Sequence, residues 1–186
     1  MSTLKELLVM ELQDLYDAEN QIIKALPKMI KATSSPELRS GLEAHLQETL
    51  AHPKRIEQIL EQLDEDPKGW KCKGMRGLLS EGSELLGEKL SDEVEDAGII
   101  GAAQRVEHYE IAAYGTARTF AELLEMDEAV SLLDQTLEEE KAADEKLTEV
   151  SESVNAAALS AGEGKEAEEG EKRPKAARGK AKTAGL

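Results

Sequence analysis

The sequence predicts an all-α protein: a bundle of four long amphipathic helices, with a long connection between the second and third that carries a short extra helix. Three observations predict it. Apolar residues recur by threes and fours in four separate stretches, as on one face of a helix. Only 3% of residues are aromatic and 33% are charged, which describes a Leu, Ile, Ala and Val core under surfaces of good helix formers. The connection Asp64 to Ser91 is far longer than two adjacent antiparallel helices need, and matches a crossover travelling the height of a bundle.

Helix A is expected from about Thr3 to Ala32, with the stripe Leu4, Leu8, Leu12, Leu15, Ile22, Leu26 and Met29. Glu19 falls inside that stripe and Glu11 on its edge; Asp14 and Asp17 point to the polar side. Thr33-Ser34-Ser35-Pro36 closes this helix and opens the next, with Ser35 as cap and Pro36 in the first turn. Helix B is expected from Pro36 to about Leu63, with Leu38, Leu42, Leu46, Ile56, Ile59, Leu60 and Leu63 on its apolar face. His45, Thr49 and His52 occupy the middle of that face, with Glu48 on its flank. Pro53 removes one backbone donor there, leaves the carbonyl of Thr49 without its partner, and predicts a bend.

In the crossover, Met75 to Leu90 has enough leucine for a short helix broken by Gly82 or Gly87, and Trp70 and Cys72 are expected to pack it against the bundle. Helix C is expected from about Asp92 to Glu125, with Ile99, Ala103, Val106, Ala113, Ala117, Phe120 and Leu124 as its face. Glu110 sits in mid-seam and Glu107 one turn earlier at its border. After a turn near Met126-Asp127, helix D is expected from about Glu128 to Val154, with the seam Val130, Leu133, Leu137, Leu147, Val150 and Val154. Glu140 takes a seam position and Asp144 lies one turn on. Glu138, Glu139 and Glu145 are expected to face solvent.

These helices place the bundle domain at residues 1–155. The remainder, 156–186, has almost nothing apolar beyond alanine and reads as a disordered low-complexity tail, acidic first and basic last. The tail carries a small positive surplus, so the net charge of −16 understates the acidity of the bundle. Such a surface repels nucleic acid, leaving at most weak contact through the basic tail. No stretch approaches the roughly 20 consecutive apolar residues of a membrane span. The N-terminus runs into an amphipathic helix bearing acids, unlike a signal peptide. A single cysteine, Cys72, excludes a disulfide framework and suits a reducing cytoplasm. There is no Gly-rich phosphate loop and no Ser-His-Asp order, so kinase and hydrolase readings find no support.

Each long helix therefore brings ionisable groups to its buried face: Glu19 on A, Glu48 and His52 on B with His45 close by, Glu107 and Glu110 on C, Glu140 and Asp144 on D. Counting from the turns puts them at one depth: Glu19 falls opposite residue 49, and Glu110 level with residues 142–144. A buried unpaired carboxylate costs several kcal/mol, so such groups must be protonated, paired or metal-bound. Oxygen and nitrogen donors at mid-bundle suit two iron or manganese ions and no organic cofactor; the alternative is a buried hydrogen-bonded network. His45 lies a turn off the plane and is read as a core histidine or a support to the ligands.

The segments ELQDLYDAENQIIKALPKM, HLQETLAHPKRIEQIL, KCKGMRGLLSEG, AAQRVEHYEIAAYGTA and LEEEKAADEKL, in that order over residues 3–155, resemble the ferritin-like stress proteins of the bacterial YciE/YciF type, a domain of unknown function. The resemblance implies a ferritin-like four-helix bundle, distant kinship to rubrerythrins and manganese catalases, a bacterial cytoplasmic stress role and a homodimer; with the di-metal reading of the core, the expected action is on peroxide or oxygen. A non-catalytic structural or stress protein with a vestigial metal site is the alternative. The broader ferritin-like pattern has Glu-x-x-His on the second and fourth helices. This chain instead has Glu48-x-x-x-His52 and Glu140-x-x-x-Asp144. Carried over position by position, the resemblance favours Glu19, Glu48, His52, Glu110 and Glu140 as ligands over Glu107 and Asp144.

Overall fold

The computed structural model describes residues 2–172. It contains six helices: α1 (Leu4–Ala32), α2 (Pro36–Thr49), α3 (His52–Gln62), α4 (Lys73–Leu85), α5 (Asp92–Leu123) and α6 (Asp127–Lys172). Among the described residues there is no strand, and no helix is long and apolar enough to cross a membrane. The four-helix bundle expected from sequence is present, with α2 and α3 together forming its second member. α1 and α6 each pack on the α2–α3 pair and on α5, and α4 rides in the crossover against α1 and α5.

The caps are local and legible. Thr3 and Glu6 form a capping box at the start of α1, the Thr3 hydroxyl accepting from the Glu6 amide. Ser35 caps α2 by accepting from the Leu38 amide at 3.3 Å, with Pro36 in the first turn. The second helix does more than bend before Pro53. It breaks at Leu50-Ala51, where the Ala51 amide turns back to the Glu48 carbonyl at 2.8 Å, and α3 restarts with His52 and Pro53 in its first turn. A proline in a first turn gives up only an amide that had no helical partner.

Three expectations are corrected here. α4 runs through Gly82 and ends at Leu85, because Gly82 packs over Ala102 of α5 and keeps its helical bonds. Cys72 is buried and caps α4 through its Sγ, which accepts from the Met75 amide at 3.3 Å, but Trp70 is half exposed and does not seal the crossover. α6 does not stop at Val154. Its apolar seam does, since Val154 is the last buried residue described, but Ala-rich and Glu-rich sequence carries the helix on to Lys172. The expected tail is thus helical over 156–172, and its basic end, 173–186, lies outside the described residues.

The core divides into two apolar clusters. One gathers Ile22, Leu26, Leu38, Leu42, Met75, Ile99, Leu147 and Val150 toward one end of the bundle. The other gathers Leu8, Leu12, Ile56, Ile59, Leu60, Tyr114 and Leu133 toward the opposite end. Fully burying each large aliphatic side chain contributes about 1.5–3 kcal/mol, so both ends are well anchored. Along α1, the α2–α3 pair, α5 and α6, the polar residues of interest lie at the sequence boundary between the two clusters. The polar layer is therefore a slab held between two dry blocks.

Candidate metal centre

Six side chains meet in that slab: Glu19 of α1, His45 of α2, His52 of α3, Glu107 and Glu110 of α5, and Glu140 of α6, all of them buried. They form two triads. Glu19, His52 and Glu140 make one, and His45, Glu107 and Glu140 the other; within each, one donor atom per residue lies within 4.8 Å of the rest. Glu140 belongs to both.

In the first triad, His52 Nδ1 stands 2.9 Å from Glu140 Oε1 and 3.3 Å from Glu19 Oε1. In the second, His45 Nε2 stands 3.5 Å from Glu107 and 3.8 Å from Glu140. Yet these atoms are not aligned to hydrogen-bond one another. His45 keeps both ring nitrogens unpartnered, His52 its Nδ1, Glu110 and Glu140 both carboxylate oxygens, and Glu19 and Glu107 one each. Metal–ligand bonds of about 2.1 Å put neighbouring donor atoms about 3 Å apart. The close approaches of His52 fit that spacing, and four carboxylates carry the charge that two divalent ions would cancel. The residues present fit such a centre by chemistry and by spacing.

Electrostatics gives the same picture without an ion. Burial, then the charges of Glu140 and Glu19, push the Glu110 carboxyl well above its ordinary range. Burial and the Glu140 carboxylate do the same to Glu107, and burial raises Glu19. Burial pulls the His52 imidazolium down, but the close carboxylates of Glu140 and Glu19 outweigh it and push the group up to about 10. Glu19, Glu107, Glu110 and His52 thus each hold a proton more readily than in water, as groups crowded by negative charge do where no cation is offered.

A surrounding shell holds the first triad. His52 Nε2 donates to Glu139 Oε2 at 2.9 Å, and Glu139 is gripped by the Arg55 guanidinium through both oxygens. Arg55 also donates to Thr136 Oγ1 at 2.9 Å. With its proton committed to Glu139, a neutral His52 turns the Nδ1 lone pair inward, the arrangement that fixes a ligating imidazole. Across the site the Tyr114 hydroxyl donates to Glu19 Oε1. Thr49 donates to the His45 carbonyl at 2.8 Å beside the helix break.

Of the residues singled out from sequence, Glu19, His52, Glu107, Glu110 and Glu140 come together. Glu48 does not: its side chain is half exposed and approaches His45 only at 4.0 Å. Asp144 is also outside, accepting from Gln104 at 3.2 Å and facing the exposed His108. His45, expected on the apolar face but a turn off the plane of the ligands, joins the centre, while Glu48, expected on the flank of that face, stays outside it. Glu139, read as a solvated charge, is instead the partner of His52, and Arg55 was not singled out. Both are readable only once it is known which face of α3 meets α6. Tyr109 packs away from the centre, donating to Asp14 at 2.7 Å while the Cys72 thiol lies 3.0 Å from its oxygen. Burial pushes that thiol up to about 11, which disfavours the reactive thiolate at neutral pH.

Comparison with known proteins agrees with the fold and with the sequence resemblance. The chain is 45% identical over 151 residues to Protein YciF of Escherichia coli (strain K12), covering 81% of this chain and 91% of that protein. It superposes on the crystal structure of the E. coli stress protein YciF with a TM-score of 0.81 at 43% identity, covering 84% of this chain and 99% of the other. YcfI from Rhodopseudomonas palustris, provisionally described as a structural protein, matches with a TM-score of 0.77 at 45% identity, over 79% of this chain and 94% of the other. The model of the family "Domain of unknown function (DUF892)" matches residues 3–160, and the chain belongs to that family, with YciF among its relatives.

Proposed function

We propose that this chain is a di-metal carboxylate protein of the ferritin-like type, holding two iron or manganese ions at mid-bundle and acting on peroxide or oxygen in a bacterial cytoplasmic stress response, as a homodimer. The observation that carries the reading is His52. Its Nε2 proton is committed to Glu139, and its Nδ1 faces oxygens of Glu140 and Glu19 at 2.9 and 3.3 Å. Without an ion, Nδ1 must carry a second proton to face those oxygens, which is why the group is pushed up; a metal cation among them would take the place of that proton.

Glu19, His52 and Glu140 would hold one ion and His45, Glu107 and Glu140 the other, with Glu110 completing the set between them. Such ions supply Lewis acidity and redox chemistry to a small oxygen-bearing substrate. The chain's own part is to pre-assemble the donors and exclude bulk water with two apolar blocks. Arg55 and Glu139 orient His52, and the Tyr114 proton steadies one oxygen of Glu19.

Elemental analysis and metal titration of the purified full chain test the reading. Iron or manganese is expected to raise the melting temperature of the wild type and not of a Glu110→Ala, Glu140→Ala double variant. The metal-loaded chain should then consume hydrogen peroxide. If no metal binds, or both proteins respond alike, the reading fails. A second reading, a non-catalytic structural protein with a vestigial site, is favoured by the description given to the R. palustris relative. Metal binding without peroxide or oxygen turnover would select it. Sedimentation of the same preparation tests the homodimer.

A further inference from the structure

The two triads differ in what lies outside them. The first is sealed by Arg55 and Glu139. The second ends a cavity of about 490 Å³ that runs between α2 and α6 and is lined at its inner end by His45 and Glu107. Leu42, Leu147 and Val150 wall it, and its room comes from small residues at the helix contact, Gly41, Ala142 and Ala143. A Cβ placed on Gly41 would meet nothing within 4 Å, so the space there is open.

We propose that this cavity binds a small neutral organic molecule with an apolar body and one hydroxyl or hydroperoxyl head, the head lying against His45 and Glu107. Three features choose that class. The volume falls in the range of small-molecule pockets and is far larger than a bare ion or hydrogen peroxide requires. The walls are hydrocarbon, while the inner end offers both nitrogens of His45 and one oxygen of Glu107, all buried and without partners. The mouth is anionic: Glu37 and Glu48 stand there, and the one Lys or Arg lining it among the described residues, Lys146, is already shared between Glu149 at 3.1 Å and Glu37 at 3.9 Å. A neutral molecule passes such a mouth and an organic anion is repelled.

The inference deepens the proposed function by naming the substrate class for the open half of the centre. Binding itself asks only for the cavity. The test uses 2-phenyl-2-propanol as an unreactive probe and 4-isopropylbenzoate as its anionic counterpart. Both are titrated by calorimetry into the full chain, with and without added manganese. The alcohol is expected to bind at least about tenfold more tightly than the carboxylate. Gly41→Leu, which fills the cavity, should lose alcohol binding at least about tenfold while keeping wild-type manganese uptake and helicity. Gly41→Ala, with the same open space, should retain binding and guards against a folding defect. Absence of alcohol binding, binding untouched by Gly41→Leu, or equal binding of the carboxylate each overturns the proposal. Alcohol binding in a chain that takes up no metal keeps the cavity and sinks the di-metal reading. Metal uptake without alcohol binding does the reverse.

Discussion

Asp96 and Glu110 are both buried acids on α5, and they are opposites. Asp96 accepts from the hydroxyls of Thr33 and Ser34 at 2.8 and 2.5 Å, and from the amides of Ser34 and Ser35 at 2.9 and 2.8 Å. Burial works against its charge, but the Ser34 bonds and their neighbours outweigh it and hold the carboxyl below its ordinary range. It ties the α1–α2 turn to α5. Glu110 has no hydrogen-bond partner and three carboxylate neighbours, and it is driven the other way. Burial alone therefore does not mark a functional acid. What separates the two is whether the fold itself supplies the donors.

The sharpest way to break that contrast is to remove each acid in turn. Asp96→Ala strands two part-buried amides and two hydroxyls, one of them buried, and is expected to cost about 3 kcal/mol, lowering the melting temperature by about 6–12 °C at pH 7. Because its folded pKa is lowered, the stability it contributes is present above the unfolded value of about 3.9 and is lost as pH falls through the folded value. The gap between wild type and variant, followed by thermal melts, should thus narrow as pH falls below that unfolded value. Removing the support instead of a ligand is the next largest effect. Arg55→Ala frees Glu139 and is expected to weaken manganese binding about 10–100-fold in a competition titration. A loss of stability with unchanged affinity would make Arg55 a packing residue only.

Glu110→Leu should reverse the sign seen at Asp96. In metal-free protein it replaces an unpaired buried acid with hydrocarbon, and is expected to stabilise by about 1 kcal/mol, raising the melting temperature by about 2–4 °C. A fall comparable to that of Asp96→Ala would show that Glu110 has partners after all. The smallest effect is Gly41→Ala, which adds helix propensity in open space and should stabilise by about 0.5–1 kcal/mol. Circular-dichroism melts resolve both.

Much of this was legible in the chain. The four stripes, the capping residues around Ser35 and the depth of Glu19, His52, Glu110 and Glu140 follow from periodicity alone, because each helix must turn its apolar face inward. Phase counting failed where a helix is not continuous. Helix B was read as one rod, and on one rod Glu48 and His52 share a turn. The break at Leu50-Ala51 re-aims the two segments separately, so that His45 reaches the level of the centre and Glu48 is left half exposed. At the other end the turn centres on Glu125, whose φ of 57° is in the left-handed region, rather than on residue 126 or 127. That small shift sets Glu110 against Glu140 and carries Asp144 out to Gln104. Glu139 and Arg55 could not be found by face at all, since their roles depend on which flank of α3 meets α6.

The sharing of Glu140 has a consequence for how the centre fills. Among the described residues Glu140 is common to both triads, its Oε1 toward His52 and its Oε2 toward His45, so in the proposed di-metal centre an ion that draws one oxygen would alter the charge and aim of the other. The two positions are then thermodynamically linked. Occupancy of either sets the affinity of its neighbour by the same factor in both directions, and a binding isotherm described by two independent constants would misstate both.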